Sequence, residues 1–266
     1  MNYLKIKELI SIPLNIFGIS SYKLKRINKS YQNNYIRVLN YHDVKADSLE
    51  KFGKQIRWLS QHFENVDYIK FDNYMNKKYN FTNRPGIMIT FDDGYIGNSS
   101  NALSILKKNN MTGYFFVSSD LIGKAGYMNT EQIEKLIMNK NIIGCHTATH
   151  HRMCIDDSQD ILNYEIIESK KRLENIFGQA VDIFCWCGGE EWTYTKNAAL
   201  TIKNARYKYS FMTNSWPVTS QTNFFQLERT NCEDAWSISV LKFQICGFMD
   251  KRFMDRRIRI EKLTNI

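Results

Sequence analysis

Two short runs carry side chains whose types and spacing can do chemistry. Thr90-Phe91-Asp92-Asp93-Gly94-Tyr95 follows the apolar run Gly86-Ile87-Met88-Ile89, and His146-Thr147-Ala148-Thr149-His150 follows Asn141-Ile142-Ile143-Gly144. Adjacent carboxylates and two imidazoles four residues apart, each at a strand exit, can hold one divalent metal beside one free base. A catalytic metal takes about three protein ligands and keeps a position open. Asp93, His146 and His150 supply three, and the histidine spacing places both rings on one side of a helical turn. Gly94 lets the chain turn sharply, so the neighbouring carboxylates can reach different targets. Asp92 is then free to take a proton from an attacking water whose pKa a metal lowers towards roughly 7. The chemistry implied is hydrolysis of an acyl bond, in which the departing amine needs a proton. Singly, each run has a plain structural reading, because Asp-Asp-Gly is a common turn and paired histidines often only pack. Their joint presence at successive strand ends favours the metal.

The elements that must position these groups alternate from residue 35 onwards. Residues 35–40 read as a strand ending in Tyr41-His42-Asp43, and 49–63 carries Phe52, Ile56, Leu59 and Phe63 at a helical period. Gly86–Phe91 reads as a buried strand, 98–107 as a helix and 112–117 as a strand. Thr130–Met138 reads as a helix capped by Thr130, and 142–146 as a strand. A long helix over 158–177, stopped by Gly178, comes next. Strands over 181–187, 207–213 and 224–229 follow, with helices over 193–205 and 233–245. Repeated βα units without an internal repeat or a Pro- or Gly-rich linker predict a barrel-like α/β fold. Its active face is expected at the C-terminal ends of the strands, where every polar cluster sits.

Composition bounds the partners. With 43% hydrophobic and 24% charged residues, the 266-residue chain is an ordinary globular one that can bury a sizeable core. A net charge of +9 favours an acidic neighbour, such as an anionic membrane face, an anionic glycan or nucleic acid. The basic residues form no aromatic-interleaved strip and no nucleic-acid motif occurs, so nucleic acid is not the expected partner. The six cysteines make no C-x-x-C pair, which leaves a structural zinc site unsupported and predicts reduced, mostly buried thiols. Near the N-terminus, apolar residues 9–19 lie between Lys5 and Lys7 on one side and Lys23, Lys25, Arg26 and Lys29 on the other. That stretch is too short to span a bilayer and has no A-x-A cleavage site. It is expected either to lie on a membrane surface as a basic amphipathic segment or to pack on the barrel as a helix. The expected organisation is a basic arm over 1–34, the barrel over 35–249, and a basic tail over 250–266 that is a solvated helix face.

TFDDGY followed by HTATH resembles the polysaccharide deacetylases of the NodB-homology group, carbohydrate esterase family 4. Leu39-Asn40-Tyr41-His42-Asp43 resembles the Tyr-His segment of one branch of that family, and the likeness spans about residues 35 to 230. The resemblance implies a distorted (β/α) barrel of the NodB type that hydrolyses acetyl groups, N-linked or sometimes O-linked, on sugars. By this resemblance Asp92 matches the family's base, and Asp93, His146 and His150 match its metal ligands. The metal is usually zinc, with cobalt, nickel or manganese sometimes in its place. Thr147 and Thr149 fall where the family has small or variable residues, and either orient the histidines or cap the turn.

The likeness breaks down at two later motifs. Where the family carries Arg-Pro-Pro-Tyr-Gly or Phe-Ala-Tyr-Pro-Tyr-Gly, this chain has Phe184-Cys185-Trp186-Cys187-Gly188-Gly189, without the arginine that steers the base. Leu227-Glu228-Arg229 resembles the leucine-x-arginine strand of the Tyr-His branch. Arg229 is therefore expected either to anchor Asp92 or to bind an anionic sugar substituent, and its guanidinium cannot be the acid at neutral pH. Tyr95 and Trp186 are the aromatic contacts expected for a sugar ring, with a core position the alternative for Trp186. The family's proton-donating histidine has no counterpart, since no histidine follows His151. His42 ranks first as the acid, ahead of His151, Glu190 and Glu191. These readings converge on a metal-dependent hydrolase that removes acetyl groups, N-linked first, from hexosamine units. The substrate expected is a bacterial surface polysaccharide (lipopolysaccharide or capsule) or its lipid-linked precursor, met in the cytoplasm at the inner membrane face. The rival expectation is a catalytically silent barrel that binds a glycan or a biosynthetic partner.

Overall fold

Short strands that are apolar on both faces need cover on both, and a parallel barrel wrapped by helices supplies it. A computed structural model describes residues 3–266, with side chains from residue 5 onwards. The strands are β1 (Ile36–Tyr41), β2 (Glu64–Asn65), β3 (Gly86–Phe91), β4 (Gly113–Val117), β5 (Ile142–Cys145), β6 (Ile183–Cys185), β7 (Tyr209–Met212), β8 (Leu227–Glu228) and β9 (Thr230–Asn231). They run in the order β8-β7-β6-β5-β4-β3-β1-β9, all pairs parallel, with β2 added along the start of β3. β8 and β9 are consecutive in the chain with Arg229 alone between them, so one segment pairs with both ends of the sheet. The result is a nearly closed, distorted (β/α) barrel. β1, β3 and β4 are buried along their whole length.

Helices follow where apolar residues recur at 3.6-residue spacing. Leu49–His62 buries Phe52, Ile56 and Leu59. Thr130–Met138 has the anticipated bounds, but its cap is Asn129 rather than Thr130. The Asn129 side chain accepts the Gln132 N–H while the Gln132 side chain accepts the Asn129 N–H, a reciprocal capping box. The long helix is interrupted: Gln159–Leu162 passes through a π-turn at Asn163–Glu168 into Ser169–Phe177, and Gly178 ends it at φ +62°. Tyr68–Met75, capped by Asp67, is a helix that the sequence pattern does not predict.

The terminal segments join the body. Helices Tyr3–Ile16 and Ile19–Ser30 lie against Ile238–Phe243 and the turn that follows it. Residues 250–266 were expected as a solvated tail, yet helices Met249–Arg252 and Met254–Leu263 bury Asp250, Arg257 and Ile260. Arg37 of β1 grips Asp250 with both guanidinium nitrogens, at 2.8 and 3.0 Å, and Arg257 stacks 3.9 Å from the Trp216 ring. Both partners are remote in sequence, which is why local composition reads as a tail. All six cysteines are unpaired, five of them buried. Among the described residues no helix is long and apolar enough to cross a membrane.

Candidate metal and acid–base site

β3 and β5 deliver the carboxylates and imidazoles to one end of the barrel. The Asp92 N–H continues the β1–β3 ladder by donating to the Tyr41 carbonyl at 2.9 Å, and the chain then leaves the strand. Asp93 (φ +71°) and Gly94 (φ +82°) are both left-handed, which separates the two carboxylates. Thr147 (φ +64°) and His150 (φ +65°) share that conformation, disfavoured for any residue with a Cβ and most of all for a β-branched one. Strain of this kind persists where surrounding bonds over-determine it. Here the buried Glu165 carboxylate accepts the Ala148 and Thr149 N–H groups, each at 2.9 Å, and the Thr149 hydroxyl at 2.7 Å. Ser169 donates to the Thr147 carbonyl and Ser118 to the His146 carbonyl. The Thr147 hydroxyl accepts the His151 N–H at 3.0 Å. Both threonines thus brace the loop and do not touch the rings.

Three side chains converge on one atom. His146 Nε2 lies 3.3 Å and His150 Nε2 3.0 Å from Asp93 Oδ1. His146 Nδ1 sits 3.0 Å from the Cys185 carbonyl, which can only accept, so Nδ1 carries a proton. Burial opposes a charge on this ring, but the neighbouring Cys187, Cys185, Asp92 and Asp93 raise its pKa well above the ordinary value, so Nε2 faces Asp93 as a proton donor that a bound cation would displace. Asp93 Oδ1 is buried, and no well-aligned hydrogen bond satisfies it. Burial opposes the Asp93 charge, yet the two imidazoles hold its carboxyl far below the usual range. A buried carboxylate oxygen without a well-aligned hydrogen bond, flanked by two ring nitrogens, fits a divalent cation. Thiols offer other donor sets, Cys187 with the two histidines and Cys185 with Asp92 and His146. Burial pushes the Cys185 thiol up to about 12, and its sulfur already faces the Asp92 carboxylate at 3.6–3.8 Å. The Cys187 thiol is already turned to the His146 carbonyl at 3.6 Å. Asp93, His146 and His150 are the better set.

The second carboxylate has a different partner. Arg229, placed where the barrel closes, donates to both Asp92 oxygens at 2.7 and 2.8 Å. Its other N–H groups go to Thr90, Thr213 and the Met212 carbonyl, so all five donors are used. Of the two contacts open to Arg229, the structure shows the one with Asp92. Burial penalises the Asp92 charge, but the adjacent guanidinium outweighs it and holds the carboxyl below its ordinary value.

Asp92, Asp93 and both histidines line an open cleft of about 490 Å³, and exposed His42 lies on its wall. Of the other acid candidates, His151 is paired with Asp157 at 2.9 Å and does not line the cleft. Glu190 is at the rim beside Arg152, and Glu191 pairs with Arg259. Trp186 is not a groove wall: it is 1% exposed, packs on Phe184 and Tyr194, and donates from Nε1 to Ser210 at 2.8 Å. Tyr95 stacks on Tyr127 outside the cleft lining, and burial together with the Asp93 charge pushes its phenol up to about 12. Sequence reasoning missed Glu165 and the C-terminal pair Phe253 and Arg256, which also line the cleft. Glu165 left one signal, a carboxylate on the buried helix face shared with Leu162, Ile166, Ser169 and Leu173.

Comparison with known proteins follows the same residues. The sequence pattern of the polysaccharide deacetylase family matches residues 80–210, which include Asp92, Asp93, His146 and His150. Over 205 residues the chain is 23% identical to YxkH of Bacillus subtilis (strain 168), a protein provisionally named a polysaccharide deacetylase, covering 75% of this chain and 72% of that one. The fold resembles the Streptococcus pyogenes deacetylase PplD in complex with acetate, with a TM-score of 0.70 and 18% identity over 79% of this chain and 98% of that one. IcaB from Ammonifex degensii superimposes with a TM-score of 0.69 and 17% identity, over 81% and 97% of the two chains. Sequence pattern and barrel both agree with those of the polysaccharide deacetylase family.

Proposed function

We propose that this protein is a divalent-metal-dependent hydrolase that removes N-acetyl groups from hexosamine units of a surface polysaccharide or its lipid-linked precursor. The observation that carries the reading is the pairing of two differently placed carboxylates in one cleft. Asp93 Oδ1 stands unsatisfied between two imidazoles, and Asp92 is ionised and clamped by Arg229. Zinc, or cobalt, nickel or manganese, held by Asp93, His146 and His150, would supply Lewis-acid polarisation of the acyl carbonyl and of the attacking water. Asp92 takes the proton from that water, and its lowered pKa keeps it in the basic form throughout the neutral range. Arg229 fixes the carboxylate plane and keeps the negative charge stable in the interior. His42 protonates the departing amine, being the one further histidine on the cleft wall.

Acetate release from a panel of acetylated hexosamines, a lipid-linked intermediate included, tests the reading with protein of measured metal content. Asp92→Asn should abolish release while bound metal stays unchanged. No release from any substrate by zinc- or cobalt-loaded protein would leave the silent glycan-binding barrel in its place.

A further inference from the structure

Helix Tyr3–Ile16 is mounted the wrong way round for a soluble protein. Its inward side is polar: Ser11 is buried, Asn15 donates to Ser239 at 3.2 Å, and Lys7 lies 4.0 Å from the Trp236 ring. Its outward side carries Ile6, Leu9, Ile10, Pro13, Ile16 and Phe17, spaced at three and four residues and therefore on one stripe. Leu9 is 66% exposed, Ile16 73% and Phe17 79%. Eight of the 20 exposed large hydrophobic residues among those described fall within residues 6–22. Scattered exposed apolar residues need no explanation, but a continuous stripe marks a contact surface.

Charge identifies the contact. Residues 1–34 and 249–266 together hold 12 basic and four acidic residues, a formal +8 of the chain's +9, which leaves the barrel between them close to neutral. The two segments meet at one cavity of about 420 Å³, whose lining Lys23, Arg26, Lys251 and Met254 share. Helix Ile19–Ser30 exposes Lys25, Arg26 and Lys29 immediately after the apolar stripe. At 14 residues the first helix is too short to span a bilayer. An apolar stripe flanked by cations suits burial in the headgroup region of an anionic leaflet.

We propose that the N-terminal helix pair docks the protein on an anionic phospholipid surface through Leu9, Ile16, Phe17 and the neighbouring cations, those of the C-terminal segment beside it included. The docking is independent of the reaction. It would also hold the cleft close to the lipid, because Phe253 and Arg256 line the cleft while Lys251 and Met254, from the same segment, line the basic cavity.

Co-sedimentation of the purified chain with vesicles of phosphatidylcholine, alone or with phosphatidylglycerol added, tests the proposal. Binding is expected with the anionic vesicles only, and added salt should weaken it. Ile16→Asp/Phe17→Asp should lower partitioning at least about tenfold by removing the two most exposed anchors. Lys25→Glu/Lys29→Glu should do likewise, since each cation near an anionic leaflet contributes roughly fivefold. Both variants should keep the wild-type unfolding temperature and acetate release from a soluble sugar. Absence of binding to anionic vesicles, or equal binding by both variants and wild type, would overturn the proposal. So would a wild-type dimer that Ile16→Asp/Phe17→Asp converts to a monomer with vesicle binding unchanged, which assigns the stripe to a second copy.

Discussion

Replacing Arg229 by methionine strips a buried carboxylate of its counter-charge. The guanidinium makes five donations, two of them to Asp92, and the two residues are 1% and 3% exposed. Removing one partner of a buried ion pair costs about 3–5 kcal/mol, because the remaining charge is stranded. Asp92 has a folded pKa below its ordinary 3.8, so the stabilisation from pairing is complete above 3.8 and is lost only as pH falls through the lowered value. Without Arg229 burial dominates, the pKa moves above the ordinary value, and Asp92 takes up its proton at higher pH. Two readouts follow for Arg229→Met. The unfolding temperature should fall by roughly 6–20 °C at pH 7, taking about 2–4 °C per kcal/mol for a chain of this size. The acid limb of the kcat/KM profile should move to higher pH. Arg229→Lys keeps the charge without the two-pronged geometry and should fall between the two. Asp92→Leu/Arg229→Met removes both charges and should regain much of the lost stability with no activity. An Arg229→Met protein that melts at the wild-type temperature, or whose acid limb stays in place, would refute the reasoning.

Other perturbations separate the remaining roles. His42→Gln should lower kcat about 100- to 10,000-fold with bound metal unchanged, and an unaltered kcat would move the acid elsewhere. Glu165→Gln loosens the loop that presents both imidazoles. Metal affinity, measured by competition with a chromogenic chelator, should drop about 10- to 100-fold while the acid limb set by Asp92 does not move. Dialysis against a chelator should abolish acetate release and lower the unfolding temperature, and adding zinc should restore both. Trp186→Phe should cost about 1–3 kcal/mol through the orphaned Ser210 hydroxyl and leave KM unchanged, whereas a sugar-stacking residue would raise it.

The legibility of these elements tracks how local their determinants are. β3 and the helix Thr130–Met138 match their sequence expectations to the residue, because apolar runs and polar punctuation lie within the segments themselves. β6 and β8 are two or three residues long and are defined by register against neighbours, so composition over-extends them, and β9 lies beyond the last expected strand. The convergence of Asp93, His146 and His150 on one cleft was readable because Asp93 and His146 follow strand ends and His150 lies in the loop that His146 opens. Trp186 was not, since alternation in Cys185-Trp186-Cys187 says that faces differ but not which one is inside. Arg229 was readable only as a pair of options, because the choice depends on closure between β8 and β9. Residues 250–266 misled for the same reason: Arg37 and Asp250 are 213 positions apart.

The missing arginine of the third motif is the strongest sequence argument for a silent barrel, and the contacts of Asp92 show a guanidinium arriving from elsewhere in the chain. At that motif Cys185 brings its thiol 3.6–3.8 Å from the carboxylate, a neutral neighbour that leaves both oxygens to Arg229. A second guanidinium there, about 4 Å from the first, would meet repulsion on the order of 4 kcal/mol at an effective dielectric of about 20. One carboxylate needs one clamp, and a cation arriving from β8–β9 makes a cation on β6 redundant. Arg229 also occupies the single residue between the strands that close the barrel, and its main chain bonds to Met212 and Ser215 along the β7 side, while Thr230 and Asn231 pair with β1. The residue that clamps Asp92 thus sits in the segment that joins the two ends of the sheet. In the proposed hydrolase Arg229 supplies the charge that the neutral Cys185 cannot.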